Sequence, residues 1–361
     1  MAPQIVENSS AGAVVTALRA DCEIARGCAG VLPLHSKKQL LLIFLHDVCI
    51  IARIDRSACT FLSPRSMTES STFTEPWTRT ARFERFDGHH SPVLRWQPHG
   101  GARAHAIFFP PYGDEMNQAR RMYRLTAEAL AAAGIGACLF DLMGTGDSTA
   151  GFELASVQAW LDDCSTIVEP LARQSVPLVF IGCRLGAALA ARTSRVLDRP
   201  VDLLVGWAAL WKGAQQLSGL LRAARMARLT RAQGSDATPA DPKGCWARGA
   251  SARLAGYPVS ARLAAELDAL DATEAPRARR AALFDVRAFG PEDAGAPGDA
   301  LRARADAWSQ RGVATDARAV DAPAFWNVVD LVDAPALVDA TVRAVRSAVS
   351  TEAVAPVGGD A

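Results

Sequence analysis

The stretch Gly182-Cys183-Arg184-Leu185-Gly186 decides the fold. It follows the apolar run Pro177-Leu178-Val179-Phe180-Ile181, which reads as a buried strand, and it opens Ala187-Ala188-Leu189-Ala190-Ala191-Arg192, which reads as a helix. A strand, a tight Gly-x-X-x-Gly turn and a helix form the device that presents a nucleophilic serine at the top of a parallel sheet. Its glycines relieve crowding around a strained central residue. Here the central residue is Arg184, and a guanidinium cannot act as the nucleophile in ester chemistry. The six histidines, His35, His46, His89, His90, His99 and His105, all precede the turn, whereas the chain order of such a triad needs one after it. Two of the three triad members are therefore missing independently.

Composition narrows the rest. At 361 residues with half of them hydrophobic, the chain can bury one large core or two small ones. A net charge of +1 gives no case for nucleic acid or an anionic membrane as the main partner. Only four of the 39 basic residues are lysines, Lys37, Lys38, Lys212 and Lys243, which reads as compositional bias. The eight cysteines, Cys22, Cys28, Cys49, Cys59, Cys138, Cys164, Cys183 and Cys245, contain no pair with zinc-site spacing. Cys138 lies in an apolar strand pattern and Cys183 in the turn itself, and both read as buried free thiols, which fits a reducing, cytoplasmic compartment. No secretory signal pattern opens the chain. The run Leu40 to Ala52, interrupted by His46 and Asp47, is too short and polar to span a bilayer. No cofactor and no metal site is implied.

The first 66 residues differ in character from the rest, and residues 1–77 read as an N-terminal extension. Two readings stay open: a sequence upstream of a true start at Met67, or a genuine appendage with its own partner. A peptide from before Met67 in protein purified from its native host would exclude the first. From Thr78 to about residue 350 strands and helices alternate. Arg82–Phe86 and Pro92–Trp96 alternate as strands joined at Asp87-Gly88. Ala104–Phe109, Ile135–Phe140, the strand before the turn, and Val201–Ala208 are apolar runs. Helices are expected from Asn117 to Ala133 and from about Ser156 to Gln174. This rhythm implies a mostly parallel sheet covered on both faces. Residues 212–280 interrupt it with an Ala/Arg/Leu-rich stretch expected to form a helical cap. Leu283–Arg287 and Ala317–Val320 are the expected last strands, Pro335–Ser347 a closing helix, and 351–361 a disordered tail.

Ligands of such sheets bind at the carboxyl ends of the strands. Four strand ends carry candidates. Pro110-Pro111-Tyr112-Gly113-Asp114-Glu115-Met116-Asn117 could aim backbone N–H groups at an anion beside a helix N-terminus, or be a Pro-stiffened turn whose acids complement the helix dipole. Asp141-Leu142-Met143-Gly144-Thr145-Gly146-Asp147-Ser148 reads as a tight scaffold loop. Arg184 places a cation at a helix N-terminus, which disfavours it. It therefore needs either an internal partner, with Glu115 the first choice, or an anionic ligand gripped together with the helix amides. Cys183 is the one thiol beside the apex, but it should point away from it and has no later His to activate it. After the last expected strand, where a His would belong, stand Phe325 and Trp326; the acid position falls near Glu292 or Asp293. Asp141, Asp162 and Asp163 show no partner at metal-site spacing.

Together these residues resemble a family within the α/β-hydrolase superfamily. It is the second of two hydrolase-like families encoded beside the exosortase A protein-sorting and exopolysaccharide system of Gram-negative bacteria. The resemblance rests on the double-Pro loop with Arg120-Arg121-Met122, on Asp141-Leu142 leading to Gly144-Thr145-Gly146-Asp147-Ser148, and on Cys183-Arg184-Leu185-Gly186-Ala187. Ala255-Gly256-Tyr257 with Ser260, and Phe325-Trp326, complete it. It covers about Thr78 to Ala348. It implies an α/β-hydrolase fold, a mostly parallel sheet with helices on both faces and a helical cap insertion, and an association with exosortase or exopolysaccharide machinery. Where the family mostly carries a Phe and two acids after the prolines, this chain has Tyr112, Gly113, Asp114 and Glu115. The candidate ligand-binding residues are Tyr112, Gly113, Glu115, Asn117, Arg184 and Leu185; none is assigned as catalytic. Two functions follow: an accessory protein binding an anionic acyl, sugar or lipid-linked ligand through Arg184, or an active ester or thioester hydrolase with a non-standard mechanism.

Overall fold

The computed structural model describes residues 39–45, 48–55, 58–61, 75–230, 241–290, 295–328, 330 and 332–350, with backbone only at 39–61 and 227–230. The readings placed on residues 1–38, on Met67, on Glu292 and Asp293, and on 351–361 lie outside these residues. The chain divides into two compact units, Met1–Thr74 and Glu75–Ala361. In the first, β1 (Gln39–Leu45), β2 (Val48–Asp55) and β3 (Ala58–Phe61) form an antiparallel sheet in that order. The apolar run Leu40–Ala52 thus folds back on itself, with Leu45 opposite Val48.

The second unit is built on eight strands: β4 (Trp77–Phe86), β5 (His89–Pro98), β6 (His105–Phe109), β7 (Gly136–Phe140), β8 (Leu178–Cys183), β9 (Val201–Trp207), β12 (Ala278–Arg287) and β13 (Ala314–Asp321). Their order is β13-β12-β9-β8-β6-β7-β5-β4. The six strands from β13 to β7 run parallel, and β5 and β4 add an antiparallel edge. Helices α1 (Asp114–Ala132), α2 (Val157–Ala172), α3 (Leu185–Val196), α7 (Asp299–Ser309) and α8 (Pro335–Ser350) connect or follow them.

The central strands read as unbroken apolar runs because both of their faces are buried. Alternate residues of β8 sort into two cores. Leu178 and Phe180 pack with Val157, Trp160 and Leu189 on the α2/α3 face. Val179, Ile181 and Cys183 pack with Met122, Leu130 and Leu337 on the α1/α8 face. The period of two along a strand therefore already fixes where Cys183 points: into the second core.

Between β9 and β12 the chain forms α4 (Gly213–Thr230), α5 (Pro242–Ala247), a hairpin of β10 (Ala252–Leu254) and β11 (Tyr257–Val259), and α6 (Ala261–Ala269). The expectation of helices throughout 212–280 is corrected in two places. Ala255 and Gly256 both take positive φ, 48° and 86°, the pattern a two-residue hairpin turn requires. In addition β12 begins at Ala278 rather than 283, its first turn of sequence disguised by Arg279 and Arg280. Helix α7 was not foreseen in the Ala/Arg-rich sequence before β13.

Candidate functional site

The elbow keeps the backbone of a nucleophile turn. Arg184 sits between β8 and α3 at φ 53°, ψ −122°, a region costly for a residue with a Cβ. Its N–H donates to the Trp207 carbonyl at 3.0 Å, and its carbonyl accepts from Leu210 N–H at 3.1 Å. A Cβ on Gly182 would lie 2.5 Å from the Ala187 backbone, and one on Gly186 would overlap the Phe109 carbonyl oxygen. Both glycines are thus demanded by close approach of neighbouring backbone. The Tyr123 hydroxyl fastens the turn, donating to the Phe109 carbonyl at 2.7 Å and accepting from Cys183 N–H at 2.9 Å.

At the apex, Arg184 Nε donates to Glu115 Oε1 at 3.3 Å, with both side chains about three-quarters or more buried. The guanidinium also lies over the Trp326 ring, 5.5 Å from its centroid, a cation–π contact. Trp326 belongs to a short 3₁₀ turn, Phe325–Asn327, just after β13. An aromatic face therefore stands at the end of the last strand, where the sequence offers no histidine. Burial pushes the Glu115 carboxyl above its usual range, and Arg184 and the amide of Gln216 pull it partly back.

This pair does not seal the site. A cleft of about 880 Å³ opens beside it, lined by Tyr112, Glu115 and Gln118, by residues of α4 including Gln216, and by Tyr257 and Trp326. Three side-chain atoms facing it are buried without a hydrogen-bond partner: the Tyr112 hydroxyl, Glu115 Oε2 and Gln216 Oε1. Tyr112 is 4% and Gln216 6% exposed. Burial drives the Tyr112 hydroxyl well above the ordinary phenol range. Tyr257 donates to Asp114 Oδ1 at 2.7 Å, and burial and that bond raise its hydroxyl as well.

Of the candidate residues, Tyr112, Glu115 and Arg184 line the cleft together. Gly113 is buried against the Tyr257 ring. Asn117 is exposed and Leu185 lies in the core, and neither lines the cleft. Cys183 is wholly buried, and burial pushes its thiol well up, so it cannot reach a ligand at the apex. Gln216 and Gln118 carried no signal in the sequence. Tyr257 stood only in the family pattern, with nothing to place it here.

The remaining carboxylates are occupied elsewhere. Asp141 accepts from Arg120 at 2.7 Å and from Asp147 N–H at 3.0 Å, holding its Gly-rich loop. Asp162 accepts from Gln158 at 2.8 Å. Asp163, 3% exposed, accepts from Met143 N–H at 2.7 Å, with His89 Nε2 3.7 Å from its other oxygen. Burial lifts its pKa to about 7, against the pull of the Met143 bond. Among the described residues no cluster of three His, Cys, Asp or Glu could hold a metal.

Strand order, elbow and loop positions define an α/β-hydrolase fold. Residues 112–243 match the family model described as serine aminopeptidase, S33. The structure is similar to Est1E from Butyrivibrio proteoclasticus, solved with ferulic acid bound (11% identity, 75% of this chain and 100% of that chain, TM-score 0.52). It is also similar to a soluble variant of monoglyceride lipase from Saccharomyces cerevisiae in complex with a substrate analogue (11% identity, 77% and 96%, TM-score 0.49). At these identities the likeness is one of fold. No curated protein matches the sequence.

Proposed function

We propose that the protein binds an anionic ligand in the cleft beside Arg184 and does not hydrolyse esters. One observation carries this: the elbow apex is an arginine whose Nε alone is hydrogen-bonded among the described residues, so its terminal N–H fork faces the cleft free to take a carboxylate or phosphate. No serine stands at the apex, Cys183 is sealed in the core, and Trp326 fills the end of the last strand. An accessory place beside exosortase or exopolysaccharide machinery is supported by the residue pattern shared with that family. A cytoplasmic location is supported by the free buried thiols Cys138, Cys164 and Cys183. No helix among the described residues is long and apolar enough to cross a membrane.

The test is turnover of a panel of p-nitrophenyl esters and acyl thioesters by wild type, Arg184→Ala and Arg184→Ser. None should exceed the buffer rate, including Arg184→Ser, which supplies a hydroxyl at the apex but no base to activate it. Turnover by wild type that disappears in Arg184→Ala would instead favour the active hydrolase, whose support is the retained strain of the elbow backbone.

A further inference from the structure

Resting on that reading, we infer that the ligand carries ring hydroxyls beside its acid group: a sugar acid or sugar phosphate, not an acyl chain. The cleft holds two kinds of unused capacity. Arg184 supplies donors for one anionic group. Around it, the Tyr112 hydroxyl, Glu115 Oε2 and Gln216 Oε1 are buried and unpartnered in the same cleft. Two of these three atoms are acceptors and the third can accept, so they call for a ligand that brings donors. Buried polar atoms are almost always satisfied, and three exceptions lining one cleft mark where ligand hydroxyls would sit.

The rest of the lining agrees. An acyl chain gains affinity by burying methylenes against apolar walls, whereas here the wall includes Asp114, Gln118, Gln215 and Ser218. Amide and carboxylate side chains pair well with neighbouring hydroxyls. Tyr257 and Trp326 offer limited apolar surface, suited to the C–H face of a single ring. Charge also fits: the cleft's lining carries two acids, Asp114 and Glu115, beside two arginines, Arg184 and Arg222, which suits one anionic group and not several.

The experiment compares ring-matched probes by calorimetry on the full chain. Methyl β-D-glucuronide is set against cyclohexanecarboxylate, and glucose 1-phosphate against cyclohexyl phosphate. The hydroxylated member of at least one pair should bind about tenfold or more tightly than its bare partner. That advantage should vanish in the double variant Tyr112→Phe/Gln216→Leu. Tyr112→Phe removes a hydroxyl that has no partner in the protein, whereas Gln216→Leu also removes the amide that pulls on Glu115. The double variant's fold is therefore checked by its thermal midpoint, and Tyr112→Phe alone should already lose part of the advantage. The pair that responds separates a sugar acid from a sugar phosphate. Equal or tighter binding of the bare rings, lost in Arg184→Ala, would overturn the hydroxyl assignment while leaving the anion site standing. A hydroxylated advantage that persists in the double variant would overturn the assignment of these residues. Binding of no probe by wild type would overturn both readings.

Discussion

Arg184 shares its charge with Glu115, and that sharing has a measurable consequence. The carboxyl of Glu115 is raised by burial, so it takes up a proton at a higher pH than an exposed glutamate. Once neutral, it no longer competes for the guanidinium. Anion affinity should therefore rise as pH falls through the raised Glu115 pKa, and should fall as pH climbs past it. In Glu115→Gln the same titration, read by calorimetry with cyclohexanecarboxylate or cyclohexyl phosphate, should be nearly flat. The Arg184–Glu115 pairing is legible in the sequence, because a cation at a helix N-terminus demands an anion. Asn117 was misplaced for a simple reason. The helix starts at Asp114 rather than Asn117, and from that phase Glu115 and Gln118 share a face while Asn117 turns away from it. Gln216 was illegible because nothing in its own segment, Ala214-Gln215-Gln216-Leu217, distinguishes a ligand-facing amide from a solvated one.

The elbow tolerates its strained apex only because its neighbours leave no alternative. Holding Arg184 at positive φ costs about 1–3 kcal/mol, offset by the packing of β8 and α3 into both cores. Gly186→Ala should be severe, since the added methyl meets the Phe109 and Pro110 carbonyls; a loss of several kcal/mol, or no soluble protein, is expected. Gly219→Ala, within α4, meets only the end of Arg222 at 4.0 Å and should stabilise by about 0.5–1 kcal/mol. Thermal denaturation of the two variants beside wild type checks the contrast. Strand and helix identities along the sheet were readable from apolar runs, which burial on both faces produces. The β10–β11 hairpin was not, because its turn depends on Ala255 entering a positive φ, 48°, that alanine seldom adopts. Helix α7 lies in sequence of the same Ala/Arg character as its surroundings, so no period set it apart.

Across the sheet as a whole, the parallel order follows from the alternation of strands and helices, while the pairing of distant side chains does not. His89 and Asp163 stand 74 positions apart (163 − 89), yet meet 3.7 Å apart with almost no exposure. With its pKa lifted to about 7, Asp163 favours the protonated form in the fold. That stabilisation is complete below the ordinary carboxylate range and is lost as pH rises through about 7. Denaturant midpoints should therefore fall between about pH 6 and about pH 8 in wild type. They should be nearly level in Asp163→Asn, whose amide oxygen can still accept from Met143 N–H. The elbow has one more consequence, for labelling chemistry. Its backbone thrusts whatever side chain stands at position 184 toward the cleft, while the thiol next to it stays sealed in the core. In a background where Cys22, Cys28, Cys49, Cys59 and Cys245 are replaced by Ser, Arg184→Cys would thus turn the turn into a single attachment point, where a maleimide dye should couple far faster than at the buried Cys138, Cys164 or Cys183, as peptide mass mapping would show.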